Sequence, residues 1–202
     1  MRVAMLLAAS LVGIPLGLRH QAAGLASRLD PGTQLFYVSD GRAQPPWIVY
    51  SVQTGQPLRP GADCASLTLR RRPSDPKPER SRLCLASDTL YRWEKAAGAW
   101  VISRPVGPDM DVTLVKANGD SVHYETSALG EDLVSGNAIG VVSTTVTTVD
   151  AGGRARLRVR ERYAISLATA TSGTFEAPDP AAPGRWVVRH TFALKELRAG
   201  SR

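Results

Sequence analysis

Between Arg154 and Arg162 every second residue is an arginine, in the run RARLRVRERY. Side chains on a strand alternate between its two faces, so this spacing sets Arg154, Arg156, Arg158, Arg160 and Arg162 on one face. Ala155, Leu157, Val159, Glu161 and Tyr163 then share the other, which is mostly core material. A helix would scatter the arginines around its axis. The stripe spans roughly 26 Å at about 3.3 Å per residue. It predicts a half-buried strand with one cationic side.

The same alternation recurs along the body of the chain, broken by turn signals. Strands are expected over Gln34–Ser39, Trp47–Gln53, Cys64–Arg71, Arg80–Ala86, Thr89–Glu94 and Trp100–Arg104. They continue over Asp111–Lys116, Ser121–Ser127, Gly140–Val149, Arg154–Ala164, Leu167–Phe175 and Arg185–Leu197. Hairpin joins are marked at Thr54-Gly55, Ala96–Gly98, Asn118-Gly119 and Asp150–Gly153. Beyond the N-terminal region no stretch holds an apolar helical period for more than about two turns. Consecutive hairpins imply an all-β fold, an antiparallel meander forming a barrel, half-barrel or sandwich. No linker or repeat divides the chain, so residues 27–202 read as one domain.

The N-terminal region differs. An unbroken apolar or small run fills Val3–Leu18, sixteen residues long. That is short for a membrane span, which takes about 20, and suits the apolar core of a secretory signal. Gly24 and Ala26 occupy the −3 and −1 positions if a cut precedes Ser27. Arg19 and His20 sit awkwardly after the apolar run, so an uncleaved apolar helix anchored in the membrane through residues 3–18 is the rival reading of residues 1–26. Both export the domain, to the periplasm or beyond in the first case, facing the periplasm from the inner membrane in the second; a buried helix in a cytosolic protein is the third reading.

Two cysteines fit that destination. ASLTLRR and SRLCLAS flank a charged, proline-rich segment, and folding them back about Ser74 puts Cys64 directly opposite Cys84. Opposed residues of an antiparallel pair lie within disulfide reach. Thiols persist in a reducing compartment and pair in an oxidising one. A metal site is disfavoured, since two lone cysteines lack further ligands.

Net charge is +7, almost wholly from arginine, with only Lys77, Lys95, Lys116 and Lys195 as lysines. About the Asp150–Gly153 turn, Arg156 is expected opposite Thr147, Arg158 opposite Thr145 and Arg160 opposite Ser143. Both strands then agree on which side is wet. Like charges two residues apart repel, so the stripe is solvated, neutralised by acids on a neighbouring strand, or bound to an anion. For an exported chain that anion would be a lipid headgroup, a lipopolysaccharide phosphate, an acidic glycan or an acidic protein, and not nucleic acid.

Catalytic patterns are scarce. Histidine occurs at positions 20, 123 and 190. His123 and Glu125 share a strand face and are the one pair that reads as an acid–base or metal-site fragment. Nucleophile elbow, zinc-protease, phosphate-loop and dinucleotide signatures are absent, and no cofactor is implied. The tryptophans read as core anchors, with Trp93 and Trp100 as a cross-strand pair.

Three segments in order, TTVTTVDAGGRARLRVRERYA, LATATSGTFEAPD and GRWVVRHTFALKELR, resemble the end of exported β-proteins of Gram-negative bacteria that have no settled activity. The resemblance runs from Thr144 to Arg198. It implies export and an antiparallel β fold, and it carries over no binding residue. The functional expectation is a non-catalytic envelope module that binds or carries an apolar or anionic ligand. The alternatives are an assembly subunit with a protein partner, or an enzyme using His123.

Overall fold

The computed structural model of the chain describes residues 24–70, 77–116 and 118–200. The apolar run at Val3–Leu18, and with it the signal or anchor reading, lies outside them. So does most of the proline-rich segment between the cysteines.

The alternating segments form strands in chain order: β1 (Gln34–Ser39), β2 (Arg42–Ala43), β3 (Trp47–Thr54), β4 (Asp63–Arg70), β5 (Glu79–Ala86), β6 (Thr89–Glu94) and β7 (Ala99–Pro105). They go on as β8 (Asp111–Val115), β9 (Ser121–Val134), β10 (Asn137–Val149), β11 (Ala155–Ala164), β12 (Thr169–Pro178) and β13 (Trp186–Arg198). A 3-10 turn, Ile165–Leu167, sits between β11 and β12.

All strands share one antiparallel sheet, in the order β7-β6-β5-β4-β3-β1-β13-β12-β11-β10-β9-β8, with β2 paired to β1. Two meanders, β3 to β7 and β8 to β13, are thus joined through β1, and the first strand pairs with the last. Strands β7 and β8 are the free edges, yet only Val106–Met110 connect them. The six Cα–Cα steps from Pro105 to Asp111 reach at most roughly 22 Å, so the sheet must curl until its edges nearly meet. Tyr124 of β9 donates its hydroxyl to Ser103 O of β7 at 2.9 Å, across the gap. The result is a nearly closed barrel. Gly107 is fitted to this crossing: a Cβ there would lie 2.5 Å from the Cβ of Asp88.

The core plugs one part of the barrel. Leu35, Val49, Leu67, Leu90, Tyr163, Leu167 and Leu194 pack there with Val134, Ile139 and Val141 from the long β9–β10 hairpin. Leu25 and Ala26 join them at 6% and 2% exposure. The Leu25 amide donates to Asp63 Oδ2 at 2.6 Å and the Ala26 amide to Ile165 O at 3.0 Å. Leu25 and Ala26, which precede the Ser27 suggested as the domain start, are thus part of the packed fold.

Several local expectations change. Thr54-Gly55 is not a tight turn; β3 and β4 are joined by the longer segment 55–62, with Gly55 N–H bonded to Cys64 O. Strand β9 runs on to Val134, past the Gly130 and acidic residues that interrupt its alternation. About the Asp150–Gly153 turn the pairing is shifted two residues from expectation: Arg162 faces Ser143, Arg160 faces Thr145 and Arg158 faces Thr147. The cause is Asp150, whose Oδ1 accepts from the amides of Gly152 and Arg154, widening the turn, together with a bulge at Thr148/Val149. A two-residue shift preserves the faces, so arginine still meets serine and threonine.

Candidate functional site

The strand pairs place the predicted residues first. Cys64 stands opposite Cys84 in the β4–β5 ladder, Cα atoms 4.0 Å apart, and the two are disulfide bonded. Trp93 and Trp100 are opposed in the β6–β7 hairpin, ring centroids 5.7 Å apart and edge to face, with the Arg82 guanidinium 4.9 Å from the Trp93 ring.

The arginine stripe is largely matched by acids. Arg156 pairs with Asp150 at 2.6 Å, Arg158 with Glu176, Arg160 with Glu176 at 3.4 Å and Arg162 with Asp132 at 2.6 Å. Arg158 also lies over the Trp186 ring, 4.4 Å from its centroid. Arg154 has no ion pair among the described residues. A hollow of about 730 Å³ bordered by Arg160, Arg162, Ser143, Thr145 and Thr174 lies along this face.

His123 does meet acids from two strands. Its Nε2 is 3.4 Å from Glu125 and its Nδ1 is 3.6 Å from Asp111, across the β8–β9 ladder, with Thr113 Oγ 3.0 Å from Nδ1. One nitrogen and two carboxylates are the donors a divalent cation takes. However, both acids are exposed, and His123 borders neither large hollow.

The larger feature is a cavity of about 1070 Å³ inside the curl of the sheet. Its apolar part is built from Leu35 (β1), Leu67 and Leu69 (β4), Leu83 (β5), Leu90 (β6) and Leu167. An aromatic wall crosses three adjacent strands: Tyr37 of β1 and Phe175 of β12 each lie beside Phe192 of β13, at 6.3 and 5.8 Å between centroids. Burial raises the pKa of Tyr37 and of Tyr163 to about 12, and Tyr37 donates to Ala170 O at 2.8 Å. Glu161, the one acid on the inner face of β11, is compensated by Arg104 of β7, which also sits 4.4 Å from the Tyr163 ring. Toward solvent the lining becomes charged, with exposed Arg80, Arg82, Arg92 and Lys95. Counting Arg104, Glu79, Glu94 and Glu161, the described lining holds five cations against three acids.

One cluster at this wall has no precursor in the sequence reading. Asp40 Oδ2 lies 2.6 Å from His190 Nδ1, and Ser39 Oγ lies 3.1 Å from Nε2 of the same ring. Ser39 and His190 both line the cavity. The Thr191 amide, 2.7 Å from Asp40 Oδ1, and the His190 ring hold the Asp40 carboxyl below the usual carboxylate range. The residues are some 150 positions apart and meet only because β1 pairs with β13.

No protein-family model matches the chain, and no curated protein matches it in sequence. Among solved structures, a Bacteroides fragilis protein with a YmcC-like fold, considered to be exported, is similar at 9% identity and a TM-score of 0.44. The match covers 84% of this chain and 96% of the other. At this level the likeness carries no argument.

Proposed function

We propose that this chain is a binding module of an oxidising, extracytoplasmic compartment, and that it takes an amphiphile into the barrel. The observation that carries the reading is the open cavity of about 1070 Å³, which combines leucine and aromatic side chains with polar groups and holds more cations than acids. Its size is just above the about 300–1,000 Å³ range of small-molecule pockets. The leucines and aromatic rings suit an alkyl or acyl chain, whose burial contributes about 0.8 kcal/mol per CH₂. The excess of cations suits an anionic head. The Cys64–Cys84 disulfide supports the compartment.

Trp47 and Trp93 line the cavity and report on it. Titration with hexadecanoate should change their emission saturably. Ala170→Phe adds a ring to the wall beside Tyr163; a steric cost of about 1–3 kcal/mol corresponds to a loss of affinity of roughly five- to 150-fold. Emission that does not respond in the wild type, or that saturates equally in the filled variant with an unchanged circular dichroism spectrum, would count against the cavity as the site.

A further inference from the structure

We propose that Ser39, His190 and Asp40 form a nucleophile, a general base and its orienting acid, and that the protein cleaves carboxylic esters whose chain lies in the cavity. The inference rests on the cavity being the ligand site, and adds a reaction to it.

Neighbouring residues on a strand point to opposite faces, and Ser39 and Asp40 would do so if β1 continued. It ends instead in the Asp40-Gly41 turn, with φ of 47° and 75°. In that left-handed conformation the Asp40 carboxylate reaches the imidazole that Ser39 also approaches. Asp40 is itself fixed by the Thr191 amide. An ionised carboxylate against Nδ1 keeps the proton on that nitrogen and leaves Nε2 as the acceptor. Ser39 Oγ is 3.1 Å from Nε2 and 3.5 Å from Nδ1. Two such similar distances put the resting hydroxyl over the ring rather than along the Nε2 lone pair. Rotation about the Cα–Cβ bond of Ser39 is needed to engage it, the kind of alignment that tightens when substrate binds.

Arg42 completes the set. It pairs with Ser39 across the turn, so the two side chains leave the same face, and it has no ion pair among the described residues. A cation there stabilises an oxyanion forming beside Ser39.

The step balances without a co-reactant other than water. Ser39 Oγ bonds to the ester carbonyl carbon as its proton moves to His190 Nε2. Collapse breaks the bond to the alkoxy oxygen, which takes that proton and leaves as the alcohol. Water then attacks the acyl-serine, giving a proton to His190, and collapse returns it to Ser39 while the acid departs. No atom changes oxidation state.

The test is labelling with a short-chain alkyl fluorophosphonate and peptide mapping, alongside hydrolysis of p-nitrophenyl butyrate. The expected result is an adduct on Ser39, lost in His190→Gln, with hydrolysis falling at least about a hundredfold in Ser39→Ala and His190→Gln. Arg42→Gln should slow hydrolysis while hexadecanoate binding is kept. An unlabelled Ser39 in protein that binds hexadecanoate overturns the reaction and leaves the cavity reading standing. A labelled Ser39 in protein that binds no hexadecanoate overturns the cavity reading instead. Equal labelling of wild type and His190→Gln overturns the base.

Discussion

Arg158 is the most constrained of the alternating arginines. It is paired with Glu176, whose side chain is 10% exposed, and it covers Trp186. Arg154, by contrast, is exposed and has no ion pair among the described residues. A shared spacing thus conceals unequal roles. Glu176→Gln should destabilise the fold by about 1.5–3 kcal/mol, the range for hydrogen bonds to charged groups. Arg154→Gln should stay within about 0.5 kcal/mol. Urea denaturation of the two variants checks this; equal, small effects would return the whole stripe to a solvated surface. At this scale the faces of β11 were legible, because alternation alone sets them. The acids that answer the arginines were not, since Asp132 and Glu176 lie on other strands. Nor was the Ser39–Asp40–His190 cluster, which depends on a contact between the two ends of the domain.

Strands were the most legible elements, because period-two patterning and turn residues are local signals. Their joints were less so. Asp150 altered the β10–β11 register through hydrogen bonds that no hydrophobic pattern encodes. The far half of β9 was missed because Gly130, Glu131 and Asp132 break its alternation, and Leu129 and Leu133 point outward at 55% and 79% exposure. The packing of Leu25 and Ala26 bears on where a leader could be cut. A cut before Ser27 would remove Leu25 and Ala26, two buried core residues, and the amide held by Asp63. Exported protein is therefore expected to begin at or before Leu25. N-terminal sequencing decides it, and a start at Ser27 would mean that the packing of Gly24–Ala26 is dispensable.

For the molecule as a whole, the sequence implied consecutive hairpins but left barrel, half-barrel and sandwich open. Closure depends on how far one sheet curls, and curl is set by bulges, which interrupt the ladders at Phe36/Tyr37, Val49/Ser51 and Leu90/Tyr91 among other places. Bulges bend strands and increase twist. They leave little trace in composition. The curled sheet holds a packed core and, directly against it, a hollow whose wall includes the core residues Leu35, Leu67, Leu90, Leu167 and Tyr163. That hollow makes binding the first function to test. A native mass spectrum of the protein recovered from the cell envelope tests it most directly. The account predicts a population heavier than the polypeptide by the mass of one amphiphile, released on unfolding and depleted in Ala170→Phe. Wild-type protein at the bare polypeptide mass, unchanged after incubation with hexadecanoate, would contradict it.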